Sequence, residues 1–471
     1  MLGLQVFFGS DPSGMTETPA LAIILAAGKG TRMKSTLPKV MHRIAGASLL
    51  AHVFAVVSKA GIGRTCLVVA PGMNEVAATA RELDPKIELF VQAKQQGTAD
   101  AVKAARPALE TFSGEVLVLY GDTPLLRSET LNAIRTELRG GADLVVIGFE
   151  AEEPTGYGRL LLDENARLTG IREEKDASAA ERALTLCNSG IMGFRSAKTL
   201  LGLLDRIDSD NAKREFYLTD AVALARGDRL EARMVKSDSE EVLGVNSRSE
   251  LGAAETLMQR RLRADAMANG ATLIAPETVF LSHDTRIGKD VVIEPHVVIG
   301  ERVVIEDGAT IRAFCHIVGA HIGAGAVVGP FARLRPGASL AADSHVGNFV
   351  EIKQAEIGEG AKVNHLAYIG DASVGAGANV GAGTITCNYD GFDKHRTEIG
   401  AGAFIGSNSS LVAPVKIGEG AYVGSGSVIS KDVAPDALAL TRSEQEERPG
   451  WAAKVRERRG GKPKAGGNKR T

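Results

Sequence analysis

The chain has 471 residues, 44% apolar and 24% charged, and this length favours two domains because one core rarely grows so large. From Trp451 onward, eight Lys/Arg and one Glu contribute +7 to a total formal charge of −2, so residues 1–450 carry −9. The acidic body argues against nucleic acid as the main substrate. Glycine is abundant, with 54 residues, whereas aromatic residues make up only 4%, which indicates many tight turns.

The sequence argues against membrane insertion and export. No apolar run reaches the ~18 residues of a transmembrane helix, and Met1–Phe8 lacks the positive flank and cleavage site of a signal peptide. Met15 is an alternative start, so residues 1–20 are treated as an N-terminal extension. The four cysteines form no CxxC pair, which argues against a disulfide framework or a zinc site and favours a reducing cytoplasm. They are Cys66, Cys187, Cys315 and Cys387.

Residues 21–247 are predicted to alternate between strands and helices. Compact apolar runs predict buried strands, and the stretches between them predict helices such as Asn74–Leu83 and Ser128–Leu138. This alternation favours a parallel α/β sheet, in which ligands bind at the carboxyl ends of the strands. The predicted strands are Leu21–Leu25, Cys66–Ala70, Val116–Tyr120 and Leu144–Gly148.

A single linking helix is predicted over residues 248–268. Ser247 and Glu250 have the spacing of a capping box at its start, and Asn269-Gly270 supplies a stop signal. Its apolar stripe consists of Leu251, Leu257, Met258 and Leu262.

Residues 269–450 carry a six-residue period of branched aliphatic residues, with occasional one-residue slips. Six residues per flat face, with one aliphatic side chain pointing inward, predict a triangular prism whose turns use glycine. The break at Thr386–Glu398 predicts a loop on this rigid scaffold, a usual place for function. The basic tail, 451–471, is predicted to be a disordered, solvated end from Lys454 to Arg470. The inward positions are Ile287, Ile293, Ile299, Ile305, Ile311, Ile317, Ile322, Val328, Leu334, Leu340, Val346, Ile352, Ile357, Val363, Ile369, Val374, Val380, Ile399, Ile405, Leu411, Ile417, Val423 and Ile429.

A glycine loop with two cations follows the first predicted strand. The backbone N–H groups of Leu25–Met33 (LAAGKGTRM) can cradle phosphates, and Arg32 and Lys39 are close in sequence. The loop is neither a GxGxxG nor a Walker A motif, and without its cations an ordinary turn is an equally good interpretation. With them, it resembles the signature of sugar-1-phosphate nucleotidyltransferases.

Other polar residues follow later strands of this domain. Asp122 follows the strand Val116–Tyr120 and is placed to hold Mg²⁺ on a triphosphate, although in isolation such an Asp more often belongs to a turn or helix cap. Several loop residues suit hydrogen bonding to a base or sugar, although each alone is more often a turn residue. They are Gln92, Gly97, Thr98, Gly158, Glu173, Asn188 and Asn246.

In the prism, Arg335, Lys353 and Tyr368 recur about one coil apart and are predicted neighbours of His365. His365 comes two residues after an inward position, so its side chain is expected to face outward. An exposed histidine usually has no catalytic role, but these cationic and polar neighbours favour a role for His365 as a base. Glu351 is a plausible residue to orient its ring.

Over residues 21–450 the chain resembles the bacterial family of bifunctional N-acetylglucosamine-1-phosphate uridyltransferase/glucosamine-1-phosphate acetyltransferase enzymes. The segments LAAGKGTRM, LPKV, YGD, TGYGR, GPFARLRPGA, HVGNFVE and GAGTITCNYDG occur in the family's order. The resemblance implies an α/β plus β-solenoid fold: a Rossmann-like nucleotidyltransferase domain (21–247), a linker helix (248–268) and a left-handed parallel β-helix acetyltransferase domain (269–450). The handedness comes from the resemblance alone. A homotrimer is also expected, because the flat prism faces can pack around a rotation axis.

The resemblance also assigns site residues. It implies Mg²⁺ at Asp122 and Asn246, a catalytic base at His365, and catalytic cations at Arg32 and Lys39. The UTP and UDP-sugar contacts would be Leu25, Ala26, Ala27, Gly28, Lys39, Gln92, Gly97, Thr98, Tyr120, Gly121, Asp122, Gly158, Glu173, Asn188 and Asn246. The glucosamine-1-phosphate contacts would be Arg335, Lys353, Tyr368, Asn379, Asn388 and Tyr389, and the acetyl-CoA contacts Ala382, Ser407, Ser425 and Arg442.

Two reactions are therefore expected: acetyl transfer from acetyl-CoA to glucosamine-1-phosphate, and uridylyl transfer from UTP to N-acetylglucosamine-1-phosphate. The main alternative is a single-function sugar nucleotidyltransferase with a structural or regulatory β-helix, which His365 and Lys353 argue against. A binding scaffold with an inactive α/β domain is a second alternative, which Arg32, Lys39 and Asp122 argue against.

Overall fold

The computed structural model describes residues 18–458, so most of the predicted N-terminal extension and the tail after residue 458 lie outside the described residues. The chain divides into two compact units. The first comprises the chain through Asp265 together with Phe280–His283, and the second comprises Ala266–Val279 and the chain from Asp284. Within residues 18–458, no helix is long and apolar enough to cross a membrane.

Within the described residues, the first unit is an α/β unit with eleven strands, of which nine form one sheet and the second and third form a separate two-stranded sheet. Its strands are β1 (Ala20–Leu25), β2 (Arg43–Ile44), β3 (Ala47–Ser48), β4 (Arg64–Val69), β5 (Glu88–Val91), β6 (Glu115–Tyr120), β7 (Leu144–Glu150), β8 (Gly158–Leu162), β9 (Leu168–Arg172), β10 (Leu186–Phe194) and β11 (Ala232–Lys236). Its helices are α1 (Leu49–Lys59), α2 (Asn74–Leu83), α3 (Thr98–Ala104), α4 (Arg106–Glu110), α5 (Ser128–Arg139), α6 (Ala179–Arg182), α7 (Ala197–Leu204), α8 (Asp220–Gly227) and α9 (Arg248–Ala268), the last of which continues into the second unit.

The main path of the sheet runs β11-β7-β10-β6-β1-β4-β5, and both of its faces are covered. Successive side chains of β1 alternate between two apolar layers, with Leu21 and Ile23 in one and Ala22 and Ile24 in the other. This double burial explains why the strand is a continuous apolar run. The predicted α/β sheet is confirmed, and four of the six strand pairs on its main path are parallel.

Three strands differ from the all-parallel expectation: β10, and the pair β8 and β9, which is antiparallel and joins β10 off the main path. β10 lies between β6 and β7 and runs antiparallel to both. Its apolar side chains are buried just as they would be in a parallel strand, so its composition does not reveal its direction.

At the start of α9, one half of the predicted capping box forms, and the return bond goes to Asn246 instead of Ser247. The Ser247 hydroxyl accepts the backbone N–H of Glu250 at 3.3 Å, while the Glu250 carboxylate accepts the backbone N–H of Asn246 at 2.7 Å. The apolar side of α9 packs through Ala254 and Met258 in a cluster with Ile44 and other residues of the first unit.

In the second unit, short strands stack in three parallel ladders, as the six-residue period predicts. The first ladder comprises Thr272–Leu273, Val292–Ile293, Thr310–Ile311, Val327–Val328, His345–Asn348, Lys362–His365, Asn379–Val380, Phe404–Ile405, Tyr422–Val423 and Leu438–Ala439. The second comprises Val298–Ile299, His316–Ile317, Arg333–Leu334, the first halves of Glu351–Ile357 and Tyr368–Val374, Ile385–Cys387, Ser410–Val412 and Val428–Ile429. The third comprises Arg286–Ile287, Val304–Ile305, Ala320–Ile322, Ala338–Leu340, the second halves of the same two long strands, Thr397–Ile399 and Val415–Ile417.

The predicted inward residues form the core of this prism. All of them are buried except Ile287, in an early coil, which is partly exposed. Their regular burial, together with parallel pairing, is consistent with the left-handed β-helix that the resemblance implies. The period break is a real excursion, because the chain leaves the ladders after Cys387 and rejoins them at Thr397.

The described part of the basic tail corrects one expectation. Trp451–Arg458 forms a helix, α10, rather than a disordered end, because Ala, Lys, Arg and Glu are strong helix formers. None of its residues is buried, as expected for a solvated segment.

The prism core yields a stability prediction. Ile352 is fully buried, and Ile352→Ala is expected to lower the free energy of unfolding of the second unit by ~2–5 kcal/mol, because it leaves a cavity among stacked aliphatic side chains. Val298 is 39% exposed, so Val298→Ala should change this free energy by no more than ~0.5 kcal/mol. Denaturant unfolding followed by circular dichroism measures both, and equal losses would contradict the inward stacking.

Candidate nucleotide and acetyl-transfer sites

A cavity of about 440 Å³ lies in the first unit at the carboxyl ends of β1, β5 and β6. This is where ligands bind on open α/β sheets. The sequence-predicted residues that line it are Leu25, Ala26, Ala27, Gly28, Lys39, Gln92, Gly97, Thr98, Tyr120, Asp122, Glu173 and Asn246. Further lining residues, which the sequence analysis did not single out, include Lys29, Gln95, Lys213, Glu215 and Tyr217.

Lys39, Asp122 and Asn246 form a polar cluster in the lining of this cavity. The Lys39 ammonium donates to a carboxylate oxygen of Asp122 and, at 3.0 Å, to the side-chain oxygen of Asn246. The segment that carries Asn246 is held beside Asp122 by the Val245 backbone N–H, which donates to the Asp122 carbonyl at 2.9 Å. Asp122 and Asn246, which are far apart in the sequence, thus present their oxygens to one cation, the Lys39 ammonium.

The same oxygens suit a divalent metal. Mg²⁺ is typically bound by one or two carboxylates together with substrate phosphates, and Asp122 with Asn246 supplies such a partial set of hard oxygen ligands. Within residues 18–458, no group of three or more His, Cys, Asp or Glu side chains could hold a metal ion. The two oxygen donors of Asp122 and Asn246 would leave the remaining positions of a magnesium ion to substrate phosphates and water.

The loop after β5 is locked to a second loop of the unit. Gly97 has φ +119°, and a Cβ atom there would lie 2.5 Å from the Phe216 carbonyl oxygen, so glycine is required. The Thr98 hydroxyl accepts the Leu218 backbone N–H at 3.0 Å, and the Gln92 amide donates to the Gly97 carbonyl at 3.0 Å. These contacts hold the predicted base-binding segment in one conformation.

Two titratable residues of the cavity lining, Glu173 and Tyr120, have raised pKa values. Burial raises the pKa of Glu173, and the Thr219 hydroxyl, which donates to its Oε1 at 3.2 Å, acts in the opposite direction. Burial also raises the pKa of Tyr120, whose ring packs so closely on Gly190 that an added Cβ would lie 2.6 Å from it.

Four sequence-predicted residues do not line the cavity: Arg32, Gly121, Gly158 and Asn188. Gly158 and Asn188 pair across β8 and β10 close to Glu173, and Gly121 packs on Val40 and Ala26. Arg32 is exposed on the short 3₁₀ turn Thr31–Met33.

In the second unit, His365 lies at the end of a first-ladder strand, exposed at a corner of the prism. Its Nδ1 is 2.5 Å from the side-chain oxygen of Asn348, the residue paired with it one coil earlier. The expected orienter, Glu351, is instead paired with Arg335 at 2.9 Å and Arg333 at 3.5 Å. The expectation for Glu351 was wrong, because it belongs to the adjacent ladder, where arginines are its nearest cations.

Charged residues converge beside the excursion 388–396. The Lys353 ammonium is 4.0 Å from the Asp371 carboxylate, to which the Asn388 amide also donates. The Lys353 ammonium lowers the pKa of Lys394, which places a second cation from the excursion near the same spot. Among the other predicted contacts, Tyr368 follows Glu351 in the ladder.

The excursion is held by its own hydrogen bonds. Asp390 accepts the backbone N–H groups of Phe392 and Asp393 and a ring N–H of His395, and these bonds hold the pKa of Asp390 well below its usual range. Tyr389, a predicted substrate contact, is 61% exposed.

The predicted acetyl-CoA residues form one column with His365. His365, Ala382 and Ser407 each offer a backbone carbonyl to the corner residue of the next coil, at 3.3, 2.7 and 2.8 Å. Arg442 then donates to the Ser425 carbonyl at 2.9 Å. With ~4.8 Å per coil, Ser425 lies ~14 Å along the corner from His365. Asn379 lies on the first ladder between Lys362 and Phe404.

Sequence reasoning missed three residues of this site: Asn348, Asp371 and Lys394. A signal for Asn348 existed, because it lies 17 positions, about one coil, before His365. No periodic signal marks Lys394, since the excursion that carries it follows no repeat.

Two family descriptions match the chain. The MobA-like NTP transferase domain matches residues 22–184, and the bacterial transferase hexapeptide (six repeats) matches residues 284–319 and 396–431. Curated relatives carry the name bifunctional protein GlmU. The one from Azorhizobium caulinodans is 58% identical over 96% of this chain and 100% of its own length. Those from Xanthobacter autotrophicus and Agrobacterium fabrum are 56% and 55% identical over 96% and 94% of this chain, and 100% and 97% of their own lengths.

The fold and these matches define an enzyme that joins a nucleotidyltransferase domain to a hexapeptide-repeat acyltransferase domain. The family implies nucleotide and sugar-phosphate substrates, acetyl-CoA and a divalent metal. The chain belongs to the family of bifunctional GlmU proteins, with uridyltransferase and acetyltransferase activities in UDP-N-acetylglucosamine synthesis. This membership confirms the resemblance and sets aside the single-function alternative.

Proposed function

We propose that the first unit transfers a uridylyl group from UTP to N-acetylglucosamine-1-phosphate with Mg²⁺ as its metal, and that the second unit acetylates glucosamine-1-phosphate. The observation that carries the first half is the Lys39 ammonium held between the oxygens of Asp122 and Asn246 in the cavity lining. That arrangement offers one cation for phosphates and one pair of oxygens for a metal.

In uridylyl transfer, a sugar-1-phosphate oxygen attacks the α-phosphorus of UTP, and the bond to pyrophosphate breaks. Such chemistry needs positioning and charge neutralisation more than a covalent protein group. The loop Leu25–Gly28 contributes backbone donors, Lys39 and Arg32 contribute positive charge, and Asp122 with Asn246 would hold Mg²⁺. A bound Mg²⁺ would neutralise charge on the phosphates.

Asp122→Asn is expected to lower pyrophosphate release from UTP by ~10²-fold or more, because it removes the carboxylate charge that binds the metal. Acetyl transfer by the same protein should stay near wild type, since its candidate residues belong to the other unit. Asp228→Asn, at an exposed ion pair with Arg206, is the matched control. A chelator should abolish only the uridylyl reaction, and a loss of both activities in folded Asp122→Asn protein would contradict the two-site assignment.

For acetyl transfer, the proposed base is His365. When the Asn348 oxygen accepts the Nδ1 proton, Nε2 keeps its lone pair and faces outward to accept a proton from the attacking amine. Arg335, Lys353 and Lys394 would neutralise the sugar phosphate. The column from His365 to Ser425 would support an extended acetyl-CoA.

His365→Ala is expected to lower kcat of acetyl transfer by ~10²–10⁴, the usual contribution of a general base. The loss should shrink at high pH, where the substrate amine is already neutral. His316→Ala, at another exposed histidine of the prism, is the control. Steady-state thiol release at several pH values measures both, and near-normal acetyl transfer by His365→Ala at neutral pH would refute the assignment.

We further propose that the chain assembles as a homotrimer that completes the acetyl-transfer site. His296, Phe314, Phe331 and Phe349 stack ring on ring along one corner, with centroids 4.8–5.1 Å apart. The three phenylalanines are about half exposed, and Leu366, beside His365, is 63% exposed. This exposed apolar corner continues to His365, the proposed base. Such a surface is suited to burial against a second copy of the chain.

Mixed trimers test whether the site is shared. A His365→Ala chain and an Arg442→Ala chain should each lack acetyl transfer, and subunit exchange should restore part of it if one site draws on two chains. Sedimentation and tagged pull-down establish the mixed species. No recovery beyond the two parents after demonstrated exchange would exclude sharing between these residues.

A further inference from the structure

Arg248, the first residue of α9, contacts the loop that carries the two candidate cations of uridylyl transfer. Its Nε donates to the Met33 carbonyl at 3.3 Å, and its Nη1 donates to Nδ1 of His42 at 3.2 Å. Met33 directly follows Arg32, and His42 lies three residues after Lys39. One guanidinium therefore holds both ends of the segment between these cations.

His42 is suited to accept this bond. It is only 5% exposed, and its burial, together with the positive charge of Arg248, lowers the pKa of His42, while the Leu37 carbonyl raises it. A guanidinium can only donate, so the contact requires an unprotonated Nδ1. The other ring nitrogen, Nε2, is buried and has no hydrogen-bond partner among the described residues, so the bond to Arg248 is the ring's side-chain link.

The backbone of Arg248 follows a turn that positions the oxygens of Asp122 and Asn246, which are proposed to bind the metal. The backbone N–H of Asn246 donates to the Glu250 carboxylate, and the Val245 N–H donates to the Asp122 carbonyl. Lys39 also spans the two segments, but it must exchange the Asp122 oxygen for phosphate oxygens if it is to bind the triphosphate. A link that persists through the reaction has to come from elsewhere.

The helix itself does not need Arg248 to stay in place. The Glu255 carboxylate accepts the Ala45 N–H at 2.7 Å, and Gln259 exchanges two hydrogen bonds with the backbone of Leu281. Much of the Arg248 side chain is exposed, so replacing it leaves no large cavity. A change at Arg248 should thus act on the loop rather than on the fold.

We propose that Arg248 is a positioning residue for uridylyl transfer, which acts through Met33 and His42 to hold Arg32 and Lys39 in register with Asp122 and Asn246. The inference rests on the proposed uridylyl reaction. With this role for Arg248, the linking helix α9 contributes to the nucleotide site in addition to connecting the two units.

Arg248→Met retains most of the length of the side chain but removes its hydrogen-bond donors. It should lower kcat/KM for UTP by ~10- to 100-fold, because a shift of catalytic groups by about 1 Å has an effect of this size. Acetyl transfer and the thermal unfolding midpoint should stay near wild type. Arg260→Met, at an exposed arginine of the same helix paired with Glu240, should leave both reactions unchanged. Added guanidinium ion should restore part of the lost activity of the smaller variant Arg248→Ala.

Two substitutions of His42 distinguish a hydrogen-bonding role of its Nδ1 from a role in packing alone. His42→Asn places an acceptor where Nδ1 lies and should retain activity within ~3-fold, whereas His42→Gln mimics Nε2 and should lose as much as Arg248→Met. The double variant Arg248→Met/His42→Gln should be no worse than either single variant, because both break one link. Equal activity of the Asn and Gln variants, or full activity of Arg248→Met, would overturn the proposal. If Asp122→Asn also kept full activity, the proposed reaction itself would be at fault, and not only the role of Arg248.

Discussion

Parallel register between neighbouring strands is the constraint on which both sites depend. In the first unit, β1 and β6 pair side by side, so the glycine loop after Leu25 and the Asp122 turn after Tyr120 emerge at the same edge of the sheet. In the second unit, each coil lies on the one before it, so a residue recurs above its counterpart about every 17 or 18 positions. Both geometries bring distant residues together without requiring any local contact between them.

The chemistry of the two units places different demands on the fold. A triphosphate concentrates negative charge. The half-open cavity of the first unit is lined by Lys39 and by oxygens that can hold a metal, and contacts such as Gly97 against Phe216 fix its loops. Acetyl transfer needs a neutral amine and an extended thioester cofactor. An exposed corner with a histidine suits the first requirement, and a long column of turns suits the second. The nucleotide cavity is lined by residues of one unit, whereas the exposed corner would be covered in the proposed trimer.

Backbone hydrogen bonds do much of the positioning in both sites. The Val245 N–H fixes Asn246 beside Asp122, and the carbonyls of His365, Ala382 and Ser407 align the corner column. Side-chain substitutions cannot remove such bonds. The side-chain links are consequently the adjustable part of the architecture, with Arg248 on His42 in one unit and Asn348 on His365 in the other.

The sequence by itself determined the inward positions of the prism, because each flat face buries one aliphatic side chain and the period states which one. It also determined the buried strands and most of the cavity lining, since apolar runs and the loops after them are local patterns. Only the tertiary structure decided that β10 runs antiparallel, that Asn348 rather than Glu351 contacts His365, and that Arg248 meets His42 across 206 positions. Strand direction and side-chain pairing depend on which segments become neighbours. The free energy of each arrangement of segments is set by the packing of the whole unit rather than by any local stretch of residues.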